Sequence, residues 1–258
     1  MRTEEFGSEN SEVVLFLHGG GLSWWNFKQE AMLLKDRYHV ILPILDGHGG
    51  SDRAFRGIEN NAEEIIEYID RNFGGNVLLI GGLSLGAQIL LEILSQRSDI
   101  CRYAIVESAL AFPLKAENAY IRSAVKMSYG LISKRWFSKL QAASLRIPKE
   151  FFEDYYRDSC AVSADDLISV LEANTAYSLK DGLKKSQAKA LVLYGSKERE
   201  AIKKSARIIE QEIPDCSLDM LCGLYHGELS LGRPDEYVKR AEELIGKNSA
   251  DVSKALTK

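Results

Sequence analysis

Ser84 is set between glycines two positions away on either side, in Gly82-Leu83-Ser84-Leu85-Gly86. A serine hydroxyl is a poor nucleophile near neutral pH. It needs a base within hydrogen-bond reach, and that base needs a third group to orient it. The histidines are His18, His39, His48 and His226. His39 lies inside an apolar run and reads as structural, while His18 and His48 lie in glycine-rich loops. His226, in Leu224-Tyr225-His226-Gly227-Glu228, is the candidate base. Glu198, in Gly195-Ser196-Lys197-Glu198, is the candidate orienting acid, with Glu107 and Glu200 as rivals. A tetrahedral oxyanion needs preorganised backbone donors. The Gly20 amide, in His18-Gly19-Gly20-Gly21, and the Leu85 amide are the candidates. That loop does not read as a phosphate cradle, because no Lys-Ser/Thr follows it and the G-x-G-x-x-G spacing is absent. The set suits acyl transfer through a covalent serine intermediate, with neither metal nor organic cofactor required.

The elements around these residues must bring them to one edge. Val77-Leu78-Leu79-Ile80 reads as a buried strand, and the Gly- and Pro-free stretch after Gly86 reads as a helix. Ser84 therefore sits at a strand-to-helix turn, the context in which G-x-S-x-G acquires meaning. Further strand-like runs occur at 13–17, 38–42, 103–106, 190–194 and 217–221. Most are continuously apolar, the pattern of strands covered on both faces. Helices are expected at 25–35, 61–72, 84–96, 200–211 and 235–245, with Asn60 or Asn61 capping the second. The stretch 113–187 has no strand-like run and carries many aromatic residues at helical spacing. It reads as an insertion of three or four helices that roofs a largely apolar pocket. Its basic residues Arg122, Lys126, Lys134 and Arg135 read as a solvated face, so uncharged esters of short to medium acyl chain are the expected substrates. Trp24 and Trp25, just after the glycine-rich loop, are either packing residues or one wall of the pocket. The fold class is α/β, a mostly parallel sheet flanked by helices. The core takes residues 1–112 and 188–246, the insertion 113–187, and a polar tail 247–258.

Composition is that of an ordinary globular chain. The 258 residues are 45% hydrophobic and 27% charged, and the net charge is −4. A chain of this size can bury a sizeable core. Without a basic block, nucleic acid and anionic membrane surfaces are unexpected partners, and a small-molecule substrate is expected. Met1-Arg2-Thr3-Glu4-Glu5 lacks an apolar leader, and no apolar run reaches the length of a membrane span. Cys101, Cys160, Cys216 and Cys222 show no C-x-x-C spacing and read as free thiols in a reducing cytoplasm, Cys160 being the most exposed. Oligomeric state stays open.

Taken jointly, the motifs resemble the α/β-hydrolase superfamily. His18-Gly19-Gly20-Gly21 resembles its H-G-x-x oxyanion loop, and Gly82-Leu83-Ser84-Leu85-Gly86 its nucleophile elbow. Asp46-Gly47-His48-Gly49-Gly50-Ser51 resembles the D-x-x-G-H-G-x-S turn, shortened before the histidine; there the resemblance implies a structural role for His48. Gly195-Ser196-Lys197-Glu198 resembles the G-x-x-D acid turn with Glu for Asp, and Leu224-Tyr225-His226 the histidine loop. The chain order Ser, acid, His is the family's. The resemblance implies a serine hydrolase acting on a small carboxylic ester, thioester or amide, with Ser84, His226 and Glu198 as triad. It equally allows a slow-turnover ligand receptor, or a lyase, acyltransferase or carbon–carbon hydrolase on the same residues. A haloalkane dehalogenase is disfavoured, because that branch carries Asp at the position of Ser84.

Overall fold

A computed structural model describes residues 1–246. The expected polar tail 247–258 lies outside the described residues. A seven-stranded sheet runs in the order β1-β3-β2-β4-β5-β6-β7. Its strands are β1 (Arg2–Phe6), β2 (Val13–Leu17), β3 (His39–Ile44), β4 (Val77–Leu83), β5 (Cys101–Glu107), β6 (Lys189–Gly195) and β7 (Cys216–Leu221). All neighbours are parallel except β1, which pairs antiparallel with β3. Every residue of β2, β3 and β4 is buried, which is why these runs are continuously apolar. The strand missed by pattern reading is β1. It is an edge strand of sequence RTEEF, and charge on an edge discourages pairing with other chains.

The helices of the core are α1 (Lys28–Leu34), α2 (Ile58–Phe73) and α3 (Leu85–Gln96) before the insertion. Four more lie between β5 and β6: α4 (Lys115–Ser128), α5 (Arg135–Ser144), α6 (Phe152–Ala161) and α7 (Ala164–Ala176). The described residues end with α8 (Glu200–Glu212), α9 (Glu228–Gly232) and α10 (Pro234–Ile245). Side chains of α2, α3 and α8 fill one apolar layer against the sheet; those of α1, α9 and α10 fill the layer on its other face. Helix α3 is buried from Leu85 through Leu94, consistent with its being apolar on all sides.

Two local expectations are corrected. Helix α2 starts at Ile58, with Gly57 at its N-cap rather than Asn60 or Asn61. Asn61 instead donates to the Gly57 carbonyl at 2.9 Å and accepts from the Asp46 amide at 3.0 Å, tying the loop after β3 to the helix. The last residues of the expected insertion also return to the core. Leu183 is fully buried in the main apolar layer, and a Cβ on Gly182 would come within 2.1 Å of the Ser95 carbonyl of α3. Among the described residues no helix is long and apolar enough to cross a membrane.

Candidate active site

Ser84 occupies the single-residue turn between β4 and α3, at φ 52° and ψ −108°. A non-glycine residue at positive φ is strained, and such strain persists only where the surroundings over-determine it. The surroundings here are tight. A Cβ on Gly82 would lie 2.6 Å from the Gly86 carbonyl carbon, and one on Gly86 would lie 2.1 Å from the Leu17 carbonyl oxygen. The two glycines thus allow β4 and α3 to cross against β2 with no side chain between them. The Ser84 amide donates to the Glu107 carbonyl at 2.8 Å, which fixes the turn to β5.

The candidate base and acid follow β7 and β6, respectively. His226 Nδ1 and Glu198 Oε2 lie 2.8 Å apart. The Glu198 side chain is fully buried, whereas that of His226 is 45% exposed. Glu198 Oε1 accepts from Ser108 Oγ at 2.7 Å and from the Gly195 amide at 2.8 Å. A carboxylate only accepts, so Nδ1 carries the proton and Nε2 keeps its lone pair. The turns that carry the two residues are stitched together: the Ser196 amide donates to Leu221 O, the Lys197 amide to Leu224 O, and the Gly223 amide to Ser196 Oγ. Of the rival acids, Glu200 opens α8 and pairs with Lys203. Ser108 was not foreseen. It too has positive φ, at 59°, and its only signal in the sequence is its place just past the carboxyl end of β5.

Gly20 is open at the cavity surface, and a Cβ on it would rest 3.5 Å from Leu85 Cβ, so the two residues whose amides are expected to act together are neighbours. The loop is held from behind. His18 Nε2 accepts from the Leu45 amide at 3.1 Å, which leaves Nδ1 to donate to the Gly19 carbonyl at 2.9 Å. Burial holds the His18 pKa well below its ordinary value, and His48, whose ring lies 4.9 Å away, adds to the effect. His18 is a neutral pin between two loops. Ser23 Oγ donates to Gly49 O at 2.8 Å, and Asn26 Oδ1 accepts from the Gly19 amide.

A cavity of about 590 Å³ opens over these groups. Gly20, Ser84, Leu85, Glu198 and His226 line its floor, and Val125, Leu145, Tyr155, Val162, Val170 and Leu171 its roof. Neither tryptophan forms a wall. Trp25 is fully buried and donates from Nε1 to Asp158 Oδ2 of α6 at 2.8 Å; Trp24 packs against Phe6 and under Lys28. Among the described residues, no cluster of three or more His, Cys, Asp or Glu side chains could hold a metal ion.

Glu107 stands beneath the floor. Its Oε1 accepts from the Ser230 amide of α9 at 3.4 Å, and its side chain is buried. Burial pushes its pKa from 4.5 to about 7; the nearby Glu198 charge works in the same direction and His226 against it. Between those two values the folded chain keeps a proton that the unfolded chain has released, so rising pH destabilises the fold across that window. The full shift corresponds to about 3 kcal/mol. We expect denaturant stability of the parent protein to fall between pH 5 and pH 8 relative to Glu107→Gln, which cannot ionise. Parallel stability curves for the two proteins would refute this account.

Comparison with known proteins places these observations. The model of the alpha/beta hydrolase family matches residues 14–240. An esterase from Exiguobacterium antarcticum superposes with a TM-score of 0.79 at 20% identity, covering 95% of this chain and 94% of that one. A thermophilic esterase from Thermogutta terrifontis gives 0.76 at 19% identity, with 95% and 93% coverage. A bromoperoxidase from Bacillus anthracis gives 0.77 at 16% identity, with 95% of each chain covered. A probable alcohol acetyltransferase of Cyberlindnera fabianii is 24% identical over 128 residues, which are 48% of this chain and 34% of that protein. This chain therefore matches about a third of the length of that curated relative. With its family model spanning nearly the whole described chain, this protein belongs to the alpha/beta hydrolase family.

Proposed function

We propose that the protein is a serine hydrolase that cleaves a small carboxylic ester, or a thioester, through an acyl-enzyme on Ser84. The observation that carries this reading is that a strained serine lines the same cavity as a histidine whose Nδ1 is engaged by a buried carboxylate. Ser84 Oγ attacks the carbonyl carbon while His226 Nε2 takes its proton. Glu198 holds the imidazole in the required tautomer and stabilises the imidazolium that forms. The Gly20 and Leu85 amides receive the oxyanion; Leu85 is the first residue of α3, where backbone N–H groups lack intrahelical partners. The acyl–oxygen bond then breaks, and His226 gives its proton to the leaving oxygen. Water repeats the sequence to release the acid.

A second acceptor has one observation in its favour. The partial relative is named as an alcohol acetyltransferase, and an apolar cavity of this volume can hold an alcohol in place of water. Adding alcohol during ester turnover and measuring the new ester against free acid separates transfer from hydrolysis. A ligand receptor on this scaffold would show one turnover or none.

A fluorophosphonate probe is expected to label the chain once, at Ser84, and Ser84→Ala is expected to lose several orders of magnitude in turnover. Label on another serine, or undiminished activity in Ser84→Ala, defeats the reading.

Glu198→Gln supplies a sharper test. Two donors converge on Oε1, so the glutamine oxygen must occupy that place and its NH₂ must face His226 Nδ1. The imidazole is then forced into the wrong tautomer. We expect kcat to fall by at least about 10²-fold, while Glu200→Gln changes little. The reverse pattern would give the orienting role to another carboxylate.

On the acyl side the apolar roof is expected to reward bulk. For neutral leaving groups, kcat/KM should rise with acyl length by at most about 0.8 kcal/mol per methylene until the cavity is full. A profile flat in chain length would mean that the roof does not hold the acyl chain.

A further inference from the structure

Beside His226, two cations share one aromatic ring. The Arg146 guanidinium carbon lies 3.5 Å from the centroid of the Tyr225 ring, and Lys197 Nζ lies 5.0 Å from it. All three side chains line the cavity that contains Ser84 and His226. Their neutralisation is incomplete. Glu228 Oε2 stands 4.0 Å from Arg146 Nε and already accepts from the Tyr225 amide at 2.9 Å. Among the described residues Lys197 has no carboxylate within ion-pairing distance. Glu198, its neighbour in sequence, is engaged by His226. The third cation on this side, Arg199, is bound by both oxygens of Glu117.

Arg146 is placed at a backbone cost. It has φ 56° and follows the C-terminus of α5, with its amide bonded to Ala143 O and the Ile147 amide to Ala142 O. Glycine ordinarily takes this left-handed position at a helix end. A non-glycine backbone there is strained, and Arg146, its side chain 42% exposed, lines the mouth of the cavity.

We infer that Arg146 and Lys197 receive an anionic group, a carboxylate or a phosphate, on the leaving-group part of the substrate. The inference rests on the serine-hydrolase reading above. The side of the cavity follows from proton transfer. The imidazolium must protonate the leaving oxygen, so the leaving group departs past His226, and Tyr225 is the residue before it. The acyl chain is then assigned to the apolar lining, which includes Val125, Val170 and Leu171. The anionic group takes no part in bond making; it orients the ester so that the leaving oxygen faces the imidazole. The sequence-based expectation of uncharged substrates weighed only the basic residues of the insertion helices. Arg122 pairs with Glu172 and Arg135 with Glu153, and neither lines the cavity. The cations that face His226 come instead from the end of α5 and the turn after β6.

Three butyryl esters test this: those of 3-hydroxybenzoate, of its uncharged primary amide, and of 3-hydroxyphenyl phosphate. At low ionic strength we expect an anionic ester to exceed the amide in kcat/KM by about 5- to 30-fold, chiefly through KM. Whichever anion gains more identifies the group received. The ratio should fall toward one near 1 M salt, where screening is effective within about 3 Å. Arg146→Gly, which relieves the backbone, and Lys197→Gln should each lower the ratio by about threefold or more. A ratio at or below one in the parent protein, or one that neither variant changes, overturns the inference. Hydrolysis of all three esters by Ser84→Ala at the parent rate would instead overturn the serine-hydrolase reading, so the two failures are distinguishable.

Discussion

Ser84 is held at φ 52° and ψ −108°, a conformation that costs roughly 1–3 kcal/mol, and the sheet around it is built so that it cannot relax. Strand β4 is flanked by β2 and β5, and its last residue pairs with Glu107. The Ser84 amide continues that ladder by one bond, to the Glu107 carbonyl. Helix α3 then leaves at once, locked by burial of its first ten residues. A change in the Ser84 backbone would have to move either the central strand or the most deeply buried helix. The strain is tolerated because the two elements it joins are buried almost throughout.

The same strand ends account for the glutamate at the acid position. An aspartate would project one methylene less from the turn after β6. Glu198 uses its extra length to curl back, so that Oε1 reaches the amide of Gly195 three residues earlier while Oε2 meets the imidazole. Ser108, from the neighbouring strand end, supplies the remaining donor. A buried carboxylate without such donors would be costly, because desolvation favours the neutral acid. Glu107, at the end of the neighbouring strand, illustrates the contrast: buried and poorly bonded, it is pushed toward neutrality.

The sequence made these features legible to different degrees. The parallel strands were readable because burial on both faces leaves no polar alternation, and the elbow because two glycines bracket one serine. Edge strand β1 was not readable, since it obeys solubility rather than burial. Trp25 shows a different limit. Its proximity to the oxyanion loop suggested a pocket wall, but its indole N–H found Asp158, 133 residues away in sequence. Ser108, Arg146 and Lys197 escaped for a related reason. A serine, an arginine or a lysine in a turn is ordinary until the fold sets it beside a buried glutamate or against Tyr225.

Asp158 also shows how the roof is joined to the floor. It accepts from Trp25, and the Cβ of any residue replacing Gly49 would collide with it, so α6 rests directly on the loops behind Gly20. Asp166 accepts from the Phe55 amide, and Asn174 exchanges hydrogen bonds with Gln88 of α3. These ties are polar, directional and placed at the base of the inserted helices. The roof above them is made mostly of aliphatic side chains on α4, α7 and the segments after α5 and α6, with Tyr155 of α6, and apolar packing of this kind tolerates substitution at similar volume. On the proposed reading, bond making and ligand shape fall to different parts of the chain. The turn at Ser84 and the Glu198–His226 bond are fixed within the sheet and its loops, so aliphatic substitution in the roof can change what the cavity admits while those contacts persist. That separation is a physical reason why one fold serves many substrates.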